Sequence, residues 1–154
     1  MLDDNELGPV LFQPGNFSSG LLSCDGRVRL SNGLAAQPLA HAGLPVRYAN
    51  GNVSSVPFHI DPDGAAVFAK PNPDDRWYYV SNAEEPHVGS EWFHGGVGSI
   101  EFDGDGRVVG YQRVANRLRM NCGGGRTPWN TWATCEEIGR GMVRSISHTL
   151  SCCI

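Results

Sequence analysis

The stretch Asn121–Glu137 reads Asn-Cys-Gly-Gly-Gly-Arg-Thr-Pro-Trp-Asn-Thr-Trp-Ala-Thr-Cys-Glu-Glu. It gathers two thiols, two tryptophans, three consecutive glycines and two adjacent carboxylates, and no other part of the chain is as dense in chemistry. Gly123, Gly124 and Gly125 reach backbone angles closed to other residues and let the main chain pass close to a ligand or a neighbouring strand, so they read as a loop. Thr127-Pro128 biases the chain to an extended turn. From Asn130 onward the residues suit a pleated strand. Trp132 and Thr134 then share one face, and Thr131, Ala133 and Cys135 share the other. The same alternation sends Glu136 and Glu137 in opposite directions.

A free Cys122 behind a glycine loop, followed by carboxylates at a strand end, is the donor set of a mixed soft-and-hard metal site. Thiolate suits a transition metal, and carboxylate oxygens suit calcium or iron. A plainer reading of the same residues stands beside it. Cys122 and Cys135 can be small buried apolar residues or disulfide partners, the tryptophans core, and the glutamates a solvated strand end. The glycines do not form a P-loop, because the Lys-Ser/Thr end of that motif is missing.

Working back from this stretch, Val97–Phe102 and Arg107–Val114 flank Asp103-Gly-Asp-Gly106 as an antiparallel hairpin. Arg76–Ser81 reads as a central strand ending at Asn82 and Glu84. Asp61-Pro-Asp-Gly64 reads as a turn into a strand at Ala65–Lys70. Neither aspartate-rich turn is an EF-hand loop, since the twelfth positions are Asn72 and Val114 rather than a bidentate glutamate. Asn50-Gly51, between Val46-Arg-Tyr48 and Val53, is a hairpin signal. Arg27–Leu30 and Ala36–Ala40 read as short strands, and Leu7–Ser23 as an irregular arm. Asn82 and Asn121 read as turn formers bonding their own backbone. His59, His87 and His94 show no shared ligand spacing and read as surface-loop histidines.

Twenty glycines and ten prolines in 154 residues favour short strands and tight turns, and no long helical period appears. The expected class is therefore all-β, as a sandwich, a barrel or propeller blades. A net charge of −4 without a basic stripe argues against nucleic acid as a partner. No apolar stretch is long enough for a membrane span. Met1–Pro14 carries Asp3, Asp4 and Glu6 and lacks the pattern of a secretory signal. Cys24, Cys122, Cys135, Cys152 and Cys153 contain no Cys-x-x-Cys pair, which weakens a zinc-finger reading.

The Asn121–Glu137 run resembles the signature of the PhoX-type alkaline phosphatases, Asn-Cys-small-Gly-Gly-x-Thr-Pro-Trp-x-Thr-Trp-x-Ser/Thr-Cys-Glu-Glu, almost without gaps. Trp77-Tyr-Tyr-Val-Ser-Asn-Ala-Glu84 is similar to the family's strand ending in Asn-x-Glu. Gly95–Val109 is similar to its following Gly-Gly hairpin, and Arg27–Gly33 with Asp61–Gly64 to its opening. The resemblance implies a β-propeller with a cluster of iron and calcium at the central channel, hydrolysing small-molecule phosphomonoesters. Carried onto this sequence, it makes Cys122 the thiolate ligand of iron and Glu84, Glu136 and Glu137 further metal ligands. Arg126 becomes a candidate for meeting the phosphate.

Material for about two blades is present, so the expectation is an incomplete ring: an arm at 1–26, a partial propeller at 27–137 and a divergent tail at 138–154. Such a piece reads as the amino-terminal part of a larger protein, with little phosphatase activity alone and a tail that replaces the authentic continuation. Two other functions fit the same residues. One is a non-catalytic β-rich binding module that keeps the signature for its turns and tryptophan packing. The other is a calcium-dependent propeller hydrolase acting on another ester such as a lactone.

Overall fold

Trp77, Tyr78, Tyr79 and Val80 in succession supply apolar side chains to both faces of one strand, and the fold is built on that strand. The computed structural model describes residues 21–22, 29–30, 36–70, 75–86, 94–137 and 143–146. Eleven strands are assigned among them, and no helix occurs in the described residues. The chain divides into two units, Met1–Pro38 and Leu39–Ile154. In the first, β1 (Leu21–Leu22) pairs antiparallel with β2 (Arg29–Leu30). Residues 36–40 form no strand, contrary to the expectation for Ala36–Ala40.

In the second unit β3 (Pro45–Arg47) and β4 (Val53–Pro57) form the hairpin that Asn50-Gly51 signals, with Gly51 at φ 87°. An antiparallel meander follows: β5 (Pro62–Ala69), β6 (Trp77–Ala83), β7 (Gly95–Phe102) and β8 (Val108–Leu118) lie side by side in that order. Asp103–Gly106 makes the tight β7–β8 turn, its Asp103 side chain accepting from the Asp105 and Arg107 amides. A three-stranded antiparallel sheet places β10 (Trp132–Glu136) between β9 (Asn121–Arg126) and β11 (Val143–Ile146). The three glycines therefore lie inside a strand, not in a loop, and four residues of the 138–154 tail pair with β10. None of these sheets closes on itself.

Both faces of the meander are covered. On one, Val46 and Phe58 pack against Ile100, Phe102, Val108 and Tyr111, with Trp77 stacked on Phe102 at 3.9 Å between ring centroids. On the other, Trp132 packs into Phe68, Tyr78, Val80 and Val97. Trp132 is 1 % exposed and Thr134 is buried beside it, while Ala133 and Cys135 are half-buried, as the alternation requires. A methyl group on Gly124 would overlap the Trp132 ring, so the glycine is what lets the indole cross the strand. Removing a buried indole of this kind costs about 3–5 kcal/mol.

The polar residues of the core were misread from sequence. His59 is 2 % exposed, not a surface-loop residue. Its Nδ1 lies 3.2 Å from the Tyr111 hydroxyl and its Nε2 3.0 Å from Ser81 Oγ. Burial lowers its pKa to about 4, helped by the nearby Arg113 guanidinium and opposed by a hydrogen bond with the Asn82 backbone. Asn82 and Asn121 are fully buried inside strands and form no turns. His94 is half-buried, its carbonyl accepting from Arg113 Nη2 at 3.2 Å, and His87 lies outside the described residues.

Candidate metal centre

Two irregularities in the strand pairing meet at the Glu84 end of β6. Pro62 pairs with Ala83 and Ala65 with Ser81, so Asp63 and Gly64 both stand opposite Asn82. Thr134 pairs with Gly124 and Glu136 with Asn121, so Cys122 and Gly123 both stand opposite Cys135. An extra residue of this kind bends its strand and re-aims a side chain, and such bulges concentrate beside functional sites. Here the two bulged strands lie against each other. A methyl group on Gly64 would come within 2.7 Å of the Cys122 carbonyl oxygen, so only glycine permits the approach.

Asn82 holds the two bulges together. Its Nδ2 donates to the carbonyls of Cys122 and Gly123, both at 2.8 Å. Its Oδ1 accepts from Trp132 Nε1 at 2.9 Å and from Thr134 Oγ1 at 2.7 Å. Asn121 Nδ2 extends the chain, donating to Thr134 Oγ1 at 2.9 Å. All four hydrogen-bonding positions of the Asn82 amide are thus used, in a site where an unmatched polar group would be costly. The residue fixes the Cys122 backbone from a strand 40 positions earlier.

The side chains that converge are Asp63, Glu84 and Cys122, whose ligand atoms all lie within 4.8 Å of one another. Asp63 is exposed and the other two are half-buried. Glu84 leaves the end of β6 with its amide donating to the Asp61 carbonyl at 3.0 Å, and Asp61 itself sits at φ 46°. The Glu84 pKa is raised, first by partial burial, then by the carboxylates of Asp63 and Glu137, both of which hydrogen-bond to it. Asp63, Glu84 and a thiol thus face one another, with the Glu137 carboxyl against Glu84, and like charges this close resist ionising together. That donor set fits a bound cation, which would relieve the repulsion that the acids exert on each other.

The two glutamates of the signature part company, as their alternation requires. Glu137 is exposed and reaches Glu84, with its amide donating to the Met120 carbonyl at 3.0 Å. Glu136 is 7 % exposed on the face of Trp132 and Thr134, with Asn121 as its cross-strand partner. Cys122 and Cys135 are both free thiols, so the disulfide alternative is not formed. Arg126 lies at the far end of β9, about 13 Å along the strand from Cys122. Its guanidinium donates to Asn130 Oδ1 at 2.6 Å and sits 5.4 Å over the Phe68 ring.

Asp63 and Asn82 were missed from sequence. Asp61-Pro-Asp-Gly64 looks like a turn, and only Gly64 inside an otherwise continuous strand pattern hints that a bulge aims Asp63 at another element. No helix among the described residues is long and apolar enough to cross a membrane.

No curated protein and no solved structure matches the chain. A family model does match, over residues 111–150, which carry β8 from Tyr111, all of β9, β10 and β11, the Cys122 member of the cluster and Glu137, which reaches Glu84. The match runs past Glu137 into the tail. Its description is Alkaline phosphatase PhoX, and over that segment the chain is similar to that family.

Proposed function

We propose that the chain forms part of a metal-dependent phosphatase centre acting on small-molecule phosphomonoesters, with Cys122, Glu84, Glu137 and Asp63 as its metal-holding residues. The observation that carries this reading is the 4.8 Å convergence of Asp63, Glu84 and Cys122, with Cys122 inside the family-matched segment. Calcium and iron are the cations proposed: the carboxylates are hard donors and the thiol a soft one. When bound, such cations polarise phosphoryl oxygens and offset the negative charge of the transition state.

The chain's own part is to hold these donors in place. Asn82 fixes the Cys122 carbonyl, the β5 bulge presents Asp63, and the Glu84 amide is anchored on Asp61. Glu136, turned into the core on the face of Trp132 and Thr134, is left out of this proposed ligand set. Arg126 meets a phosphate only by exchanging its hydrogen bond to Asn130. The β5–β8 meander is the size of one propeller blade, and β9–β11 supply most of the next. In that arrangement further ligands come from other blades of a complete ring, and the 154-residue chain alone turns over slowly.

The test is hydrolysis of a chromogenic phosphomonoester by the purified chain, with calcium and iron supplied and with a chelator. Slow, chelator-sensitive hydrolysis that falls at least tenfold in Cys122→Ser supports the reading. Hydrolysis indifferent to chelation and to Cys122→Ser overturns it, as does cleavage of a lactone with none of the phosphomonoester.

A further inference from the structure

At the other end of β6 the meander borders a cavity. Alternation along β7 puts Val97, Ser99 and Glu101 on one face. Val97 is covered by Trp132, whereas Ser99 and Glu101 line a cavity of about 410 Å³. The cross-strand partners complete the wall: Tyr78 and Gly110 flank Glu101, and Gln112 flanks Ser99. Lys70, Arg76, Tyr48 and Tyr111 also line it. The volume is within the roughly 300–1,000 Å³ of small-molecule sites.

Two observations point to what fits there. Ser99 is 2 % exposed, and its hydroxyl has no hydrogen-bond partner although it lines the cavity. A buried, unmatched hydroxyl calls for a group from outside, since burial without a partner costs free energy. Meanwhile the charges of the cavity are already matched: Glu101 Oε1 lies 3.0 Å from Arg76 Nη1 and 3.6 Å from Lys70 Nζ, with the Tyr78 hydroxyl donating to it at 3.4 Å. An incoming carboxylate or phosphate would compete with Glu101 for those cations and be repelled by it. A neutral ring of hydroxyls would instead find donors in Arg76, Lys70 and the tyrosines, acceptors in Glu101 and Gln112, and aromatic surface for its C–H face.

We propose that this cavity binds a neutral polyhydroxylated ligand the size of a monosaccharide, through Ser99, Glu101 and Gln112. The site is distinct from the acidic cluster, at the opposite end of the same strand, and does not depend on any metal there. Saturation-transfer NMR on the full 154-residue chain tests it, with glucose, galactose and mannose as neutral probes and glucuronate as the anionic control. The expected result is transfer to the ring protons of at least one neutral sugar and severalfold less to glucuronate. Ser99→Ala should cut that transfer at least fivefold while the circular dichroism spectrum stays unchanged. Gly110→Leu, whose side chain starts 3.2 Å from Glu101 Oε2 inside the cavity, should abolish it. No transfer to any neutral sugar, stronger transfer to glucuronate, or unchanged transfer in a folded Ser99→Ala overturns the proposal. If Gly110→Leu does not fold, Ser99→Ala decides alone.

Discussion

The two ends of β6 handle charge in opposite ways. Beyond Trp77, Glu101 sits between Lys70 and Arg76, so a carboxylate is met by cations from neighbouring strands. Beyond Ala83, Glu84 is met by Asp63, Glu137 and a thiol, and its pKa is raised by burial first and by the two carboxylates next. One end is finished by the protein itself; the other is left with acids facing acids around a built frame of buried hydrogen bonds. Folding alone gives no reason to assemble like charges beside two bulges, and this is why the proposed cation is placed at the second end.

The largest effect expected is on the frame that holds the acidic end. Asn82→Ala strips partners from two carbonyls, an indole N–H and a threonine hydroxyl at once, and should cost about 3–5 kcal/mol in urea unfolding. A loss below about 1 kcal/mol would mean that the frame is not tied as described. Next comes acid. His59 is held neutral by the fold, with its pKa lowered from 6.5 to about 4, so the unfolded chain takes up a proton that the folded chain refuses. Stability is therefore fully present above the unfolded value and falls as pH drops from about 6.5 toward 4, by about 3 kcal/mol in all. His59→Gln should flatten that part of the stability-against-pH curve, and a variant curve as steep as the wild type would contradict the assignment.

Glu84→Gln separates the two ends by sign. Without metal it removes a repelled carboxylate and should raise the melting temperature. With calcium in excess it removes a ligand and should reduce the calcium-dependent rise that differential binding produces. The same direction under both conditions would break the contrast. The smallest effect belongs to the compensated end. Glu101→Gln loses only half-exposed ion pairs and should change stability by about 1 kcal/mol or less, with no dependence on calcium.

The two ends also differ in how far the sequence discloses them. Hairpins such as Asn50-Gly51 and Asp103–Gly106 are local, and the alternation at Trp132 and Thr134 is a property of one strand, so both are legible from a single stretch. Cys122, Glu84 and Glu137 are legible through the resemblance of their motifs. Asp63 is not, because a bulge, invisible in residue type, decides where it points. Asn82 and His59 fail for a related reason: their partners lie 22 to 52 residues away, and only the assembled sheets bring them together. Gly123–Gly125 mislead in the other direction. A run that suggests a loop is a strand, and at Gly124 the Trp132 ring takes the space a side chain would fill.

The proposal that a thiolate and the acids around Glu84 share a cation is tested most directly by cobalt(II), which reports its ligands by colour. Titrated into the full chain, cobalt should produce a near-ultraviolet sulfur-to-metal charge-transfer band that Cys122→Ser abolishes and that Asp63→Asn and Glu84→Gln weaken. A spectrum showing oxygen ligands alone, or a thiolate band that survives Cys122→Ser, would contradict it.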